Sequence, residues 1–174
     1  MRSLNVAFLG LLLAACSRAG GASSSDGGGA TSAAPSPAAA VAPGGAIRAC
    51  SLVTAAEATT ALGATATNDD AKATGASSRC AYDSSAGGLI VFLTDPGKAA
   101  YDKGHAGAAA KGAGAFSELS GIGEGAFATY GGPVTSVMFH KGAYAVTIIL
   151  TLQGTAKPSL EKATALAKAA SSRI

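Results

Sequence analysis

The chain has 174 residues, a formal net charge of +3, three cysteines, and only 5% aromatic and 13% charged residues. That length fits one ordinary domain of ~100–150 residues with accessory segments and excludes two independent cores. The positive charge is scattered, with no run of Lys or Arg, so the clustered basic face of a nucleic-acid binder is excluded and no nucleic-acid partner is expected.

Met1 to Ala15 has the layout of a secretory signal, with Arg2 ahead of an apolar stretch from Leu4 to Ala15. A stretch of about a dozen residues suits a signal core and falls short of the ~20 that span a bilayer as a helix. It ends in Leu13-Ala14-Ala15-Cys16, which resembles the bacterial lipobox. That resemblance implies diacylglycerol on the Cys16 thiol, cleavage before it, and further acylation, because a single acyl chain holds a protein only reversibly at a membrane. Residues 16–46 are nearly all Ala, Gly, Ser, Thr and Pro. Such a composition cannot bury enough apolar surface to offset its ordering entropy, so a disordered tether is expected, reaching ~30 Å from the membrane. The expected location is the cell envelope, on the outer face of the cytoplasmic membrane or in the outer membrane. Ser17 is not the Asp that commonly retains lipoproteins at the inner membrane, which favours the outer membrane in a two-membrane cell.

Acylation of Cys16 resolves the odd cysteine count and leaves Cys50 and Cys80 to pair in an oxidising compartment. The loop so closed is worth roughly 3–4 kcal/mol in the chain-entropy model. A metal site is the alternative for two cysteines. It lacks ligand spacing, since His105 and His140 stand alone and there is no Cys-x-x-Cys, so no metal and no cofactor are expected.

The folded unit is expected over residues 47–174. Thr54-Ala-Ala-Glu57 matches a capping box, followed by a helix to Leu62 that stops at Gly63. Asn68 to Ser78 reads as a polar loop containing the acidic pair Asp69-Asp70, a loose calcium candidate without Asp-x-Asp spacing. Arg79–Asp83 and Leu89–Thr94 read as a hairpin across Ser84-Ser-Ala-Gly-Gly88. Asp95-Pro96 reads as the start of a helix through Lys111, weakened at Gly104 and Gly107 by up to ~1 kcal/mol each. Ser117 to Gly125 is turn-rich and leads to a strand over Ala126–Tyr130, broken by Gly131-Gly132-Pro133. Thr135–His140 and Ala143–Leu152 form the clearest hairpin, joined by Lys141-Gly142. Lys157-Pro158 opens a last helix with Leu160, Ala163, Ala167, Ala170 and Ile174 on one stripe. The expected fold is therefore α+β, with a curved antiparallel sheet of about five strands packed by helices.

Cys50-Ser-Leu52-Val-Thr54-Ala-Ala-Glu57, ending in Leu62-Gly63, resembles the opening of an uncharacterised family of small secreted bacterial lipoproteins. Cys80-Ala-Tyr82 is similar to that family's second cysteine and following aromatic residue, and Gly121-Ile-Gly-Glu-Gly-Ala126 to its Gly-hydrophobic-Gly-acidic turn. The resemblance spans Ala49 to Ile174 and implies a lipoprotein domain with a curved antiparallel sheet, similar in layout to PsbP-like proteins. It carries no catalytic residues.

No catalytic signature emerges from the residues themselves. Gly121-Ile-Gly123-Glu-Gly125 precedes a strand where a dinucleotide fingerprint would precede a helix, so a turn needing unusual backbone angles is expected. There is no Gly-x-Ser-x-Gly elbow, and His105 and His140 read as solvated. Tyr130 and Tyr144 are the candidate ligand-binding residues, on the premise of an open sheet face. The expected function is a non-enzymatic envelope lipoprotein that binds a partner protein or small ligand. The alternatives are an envelope hydrolase with a site assembled from distant residues, and a purely structural surface lipoprotein.

Overall fold

The computed structural model of the protein describes residues 47–69, 77–110, 116–153 and 160–174. The signal-like segment, Cys16, the tether, Asp70 and Lys157-Pro158 lie outside the described residues.

The elements run α1 (Ala49–Leu52), α2 (Ala55–Leu62), β1 (Thr67–Asp69), β2 (Ser77–Ser84), β3 (Gly87–Thr94), α3 (Lys98–Ala109), β4 (Phe116–Leu119), β5 (Gly125–Gly131), β6 (Val134–Lys141), β7 (Tyr144–Leu152) and α4 (Leu160–Ser172). The strands form one antiparallel sheet in the order β1-β2-β3-β7-β6-β5-β4. The fold is the expected α+β class with helices packed on a curved sheet, in seven strands rather than about five. The two additional strands are the short edges. β1 occupies the start of the segment read as a polar loop, and β4 the start of the segment read as turns. Thr67-Asn-Asp69 and Phe116-Ser-Glu-Leu119 carry no apolar alternation of their own. They are strands because the longer neighbours β2 and β5 offer unpaired backbone groups.

α2 begins as its sequence requires. The Thr54 hydroxyl accepts from the Glu57 amide at 3.2 Å, and the Glu57 carboxylate accepts from the Thr54 amide at 2.8 Å, so two orphan donors are satisfied reciprocally. It ends at Gly63 in the left-handed conformation, φ 76°. Across the sheet the side chains alternate, and every second residue of β2, β3, β7, β6 and β5 points to the same face. One resulting row crosses five strands as Cys80, Val91, Ile148, Val137 and Ala128. The next is Tyr82, Leu89, Leu150, Thr135 and Tyr130. α1, α2 and α4 cover this face and complete the main core, with Leu52, Val53, Ala163, Leu166, Ala167 and Ala170 buried against it.

Three long-range ties close that layer. The Cys50–Cys80 disulfide, expected from the cysteine count, joins α1 to β2 across 30 residues of sequence. Arg173 reaches back from the C-terminus, donating to both Glu57 carboxylate oxygens, at 2.9 and 2.7 Å, and to the Leu52 carbonyl. Tyr82 donates its hydroxyl proton to the Val53 carbonyl, satisfying a phenol that is only 1% exposed. Burial alone would raise the pKa of Glu57. The hydrogen bonds from Arg173 and Thr54 and the charge of Arg173 outweigh it and hold the carboxyl below its ordinary 4.5.

Candidate functional site

The second face of the sheet is built by the alternate residues. One row runs Arg79, Phe92, Thr147, Met138, Phe127 and Glu118, and the adjacent one Ala81, Ile90, Ile149, Ser136, Thr129 and Phe116. Among the described helices only α3 packs here, and it lies over β6 and β7. It covers the end that carries Phe127, Met138 and Ala145, with Tyr101 and Ala108 supplying its own apolar side. The remaining end presents Ile90, Phe92, Ile149 and Thr151 half-buried and Val134 exposed, with the Arg79 guanidinium over the Phe92 ring at 6.0 Å. Four strands wide, this patch measures about 14 Å across.

α3 reaches the sheet through two glycines. At Gly97, an added Cβ would lie 1.8 Å from the Ala145 amide nitrogen, and the Gly97 amide itself donates to the Ala143 carbonyl at 2.6 Å. Gly97, rather than Asp95, is therefore the residue preceding the helix. At Gly104, an added Cβ would meet the Met138 sulfur at 2.8 Å. The glycine that lowers helix propensity is the one that lets the helix sit close to β6.

Beneath α3 the fold gathers both histidines of the chain around one tyrosine. Tyr101 is 8% exposed, with the His140 ring 4.5 Å from its own, centroid to centroid, and the His105 ring at 5.9 Å. Each histidine meets a glutamate from a different element. His105 Nε2 lies 2.5 Å from Glu118 on β4, and His140 Nδ1 lies 3.5 Å from Glu124 in the turn before β5. Phe127 and Phe116 complete the cluster, with centroids 5.3 and 5.5 Å from His105. Burial first, then the carboxylates of Glu118 and Asp102, raise the pKa of the Tyr101 phenol. Gly125 makes room beneath, since a Cβ there would meet the Tyr101 hydroxyl at 2.9 Å and His140 Nε2 at 3.1 Å.

This cluster corrects the reading of His140 as a solvated residue at a hairpin end. Its side chain is 12% exposed and its Nδ1 is buried with no hydrogen-bond partner among the described residues. The turn residues Gly142 and Ala143 are exposed, but the His140 side chain turns in against Tyr101 of α3. His105 keeps about a third of its surface, at 35%. The convergence left no local trace in the sequence, because His105, Glu118, Glu124 and His140 come together only through the β4-β5-β6 pairing and the close seat of α3. Among the described residues neither histidine hydrogen-bonds a serine, and no group of three or more His, Cys, Asp or Glu is assembled for a metal ion.

The glycine-rich segment is a turn. Gly121 and Gly123 have φ of 74° and 57°, the Gly123 amide donates to the Ser171 hydroxyl at 3.0 Å, and Ile122 is buried between them. Tyr130 and Tyr144 both lie on the helix-covered face, half-buried against the main core. Tyr130 pairs with Thr135 and Tyr144 with Lys141 at the far end of β6, about 20 Å away, so the fold does not bring them together. On the same side a groove of about 420 Å³ runs between α2 and α4, lined by Ala56, Thr60, Ala61, Lys162, Leu166 and Ala169 among others.

No described helix is long and apolar enough to cross a membrane. The chain matches no protein-family profile, no curated protein and no solved structure.

Proposed function

We propose that this chain is a cell-envelope lipoprotein, anchored through Cys16, whose folded domain binds a partner protein and performs no catalysis. The observation that carries this reading is the asymmetry of the sheet. Three helices seal one face, while α3 covers one end of the other and leaves Ile90, Phe92 and Ile149 half-buried and Val134 exposed beside Arg79. Aromatic residues and Arg are enriched in protein interfaces, and a broad sheet surface matches another protein better than a small molecule, which is held in a concave site. The expected tether supports the same reading, because a rigid domain on ~30 Å of flexible chain can reach a partner beyond its own membrane contact. The binding residues are then those of the second face, in place of the expected pair Tyr130 and Tyr144.

Site-specific photo-crosslinking in cells tests this. A photoreactive residue at Ile149 or Ile90 is expected to capture a discrete protein, and one at Lys168, exposed on α4, is expected to capture none. Capture of the same protein from Lys168 but not from Ile149 or Ile90 would overturn the assignment of the face.

A further inference from the structure

We propose that the uncovered part of the second face seats one amphipathic helix of the partner, laid along β3 and β7 with a carboxylate at Arg79. This rests on the partner-binding reading of that face and adds the partner's shape and charge. β3 and β7 are central strands, hydrogen-bonded on both sides, so no added strand can pair here and whatever docks does so through side chains. Helices are the ordinary cover of a sheet face, and α3 already supplies one at the other end. The patch is ~14 Å across and, from the Phe92 row to the Thr151 row, ~13 Å long. A helix is ~10–12 Å in diameter, so one fits and two do not. The area, on the order of 200 Å², is far below the ~800 Å² per partner of a standard interface, so it does not hold two copies of this chain face to face. Phe92 and Ile90 repeat every ~6.6 Å along β3, near the ~6 Å rise from residue i to i+4 of a helix. Apolar residues at i, i+4 and i+7 therefore meet Phe92, Ile90 with Ile149, and Thr151 in turn.

The charges at the patch set the sign of what binds. The Arg79 guanidinium lies over the Phe92 ring at 6.0 Å and makes no ion pair among the described residues. A helix covering Phe92 also removes water from that guanidinium, and a carboxylate on the helix offsets the loss by a two-pronged, charge-assisted contact. Asp83 stands four residues further along the same face of β2, exposed and likewise without an ion pair among the described residues. The two charges are ~13 Å apart, the rise of about nine helical residues. The helix therefore carries its acid at one end of the apolar stripe, over Arg79, and has a place for a base at the other.

Mass spectrometry of the peptide cross-linked to a photoreactive residue at Ile149 of the full chain, in cells, identifies the partner segment. It is expected to show apolar residues at i, i+4 and i+7 with an Asp or Glu at one end. Arg79→Glu should lower its capture about tenfold or more, Arg79→Lys should keep most of it, and Lys in place of the partner's carboxylate should restore capture by Arg79→Glu. Proline in the middle of the partner segment should also abolish capture by the unaltered chain. The partner-side substitutions leave this chain untouched, so they decide the matter even if Arg79→Glu harms the fold. A captured segment without the helical stripe, capture that tolerates the proline, or capture unchanged by the reversal of either charge would overturn the helix and leave the binding face standing. Capture of no protein from either Ile149 or Ile90 would overturn both.

Discussion

Removing the Cys50–Cys80 cross-link should be among the most costly changes the folded domain can suffer. The bond spans 30 residues. In the chain-entropy model, closing a loop of that length lowers the entropy of the unfolded ensemble by about 12 cal/mol/K, or about 3.6 kcal/mol at room temperature. A domain of ~130 residues unfolds with an entropy of about 270 cal/mol/K, so losing the cross-link should lower Tm by about 13 °C. Cys80 is completely buried beside Val91 in the main core, so Cys50→Ala with Cys80→Ala is a better probe than serine, which would place a hydroxyl in that core. Circular-dichroism melts of the double variant, and of the unaltered chain with and without reductant, separate the cross-link from the lost sulfur packing. Reduction of the unaltered chain should reproduce most of the shift. A change below about 3 °C in both comparisons would refute the reasoning, because it would mean that the unfolded chain is not restrained by this loop or that the native bond is opposed by an equal strain.

Two glycines in one helix region should respond in opposite directions. Gly97→Ala, whose Cβ would fall 1.8 Å from a backbone nitrogen, should cost ~3 kcal/mol or more in urea unfolding. Gly107→Ala meets nothing within 4 Å and lies inside α3, so it should raise stability by about 0.5–1 kcal/mol. Glu57 ties the α2 cap to Arg173, and its carboxyl titrates below its ordinary 4.5. A depressed folded pKa contributes stability above the unfolded value and loses it as pH falls through the folded value. Urea midpoints should therefore be level between pH 7 and 5 and fall below about pH 4.5, and Glu57→Gln should lower the plateau by ~1–3 kcal/mol while flattening the acid fall.

The parts of this fold that were legible in the sequence are those whose causes are local. Thr54 and Glu57 announce their helix through a reciprocal cap three residues apart, and Gly63 announces its end. The β6–β7 hairpin is readable because Tyr144 through Leu152 alternates without interruption and Gly142, at φ 56°, takes a turn conformation open to few other residues. The edges β1 and β4 were not readable, because their strand state comes from partners and not from their own side chains. For the same reason Gly104 read as a defect in a helix, when its role is to let Met138 approach. The histidine cluster was the least legible feature. Its members are spread from residue 101 to residue 140, and pattern reading has no signal for side chains joined by sheet register and a helix laid across it. Nor does alternation along β7 carry any signal that α3 covers only part of the second face.

The proposed function rests most on lipidation of Cys16, which would set the compartment in which Cys50 and Cys80 pair and the reach of the proposed binding face. Intact-mass and N-terminal peptide mass spectrometry of the mature chain, taken from the membrane fraction of its own cell, tests it directly. The prediction is a chain that begins at Cys16 and carries a diacylglyceryl thioether, with Cys16→Ala leaving an unlipidated precursor. A mature chain that begins at another residue, or at Cys16 without lipid, would contradict it.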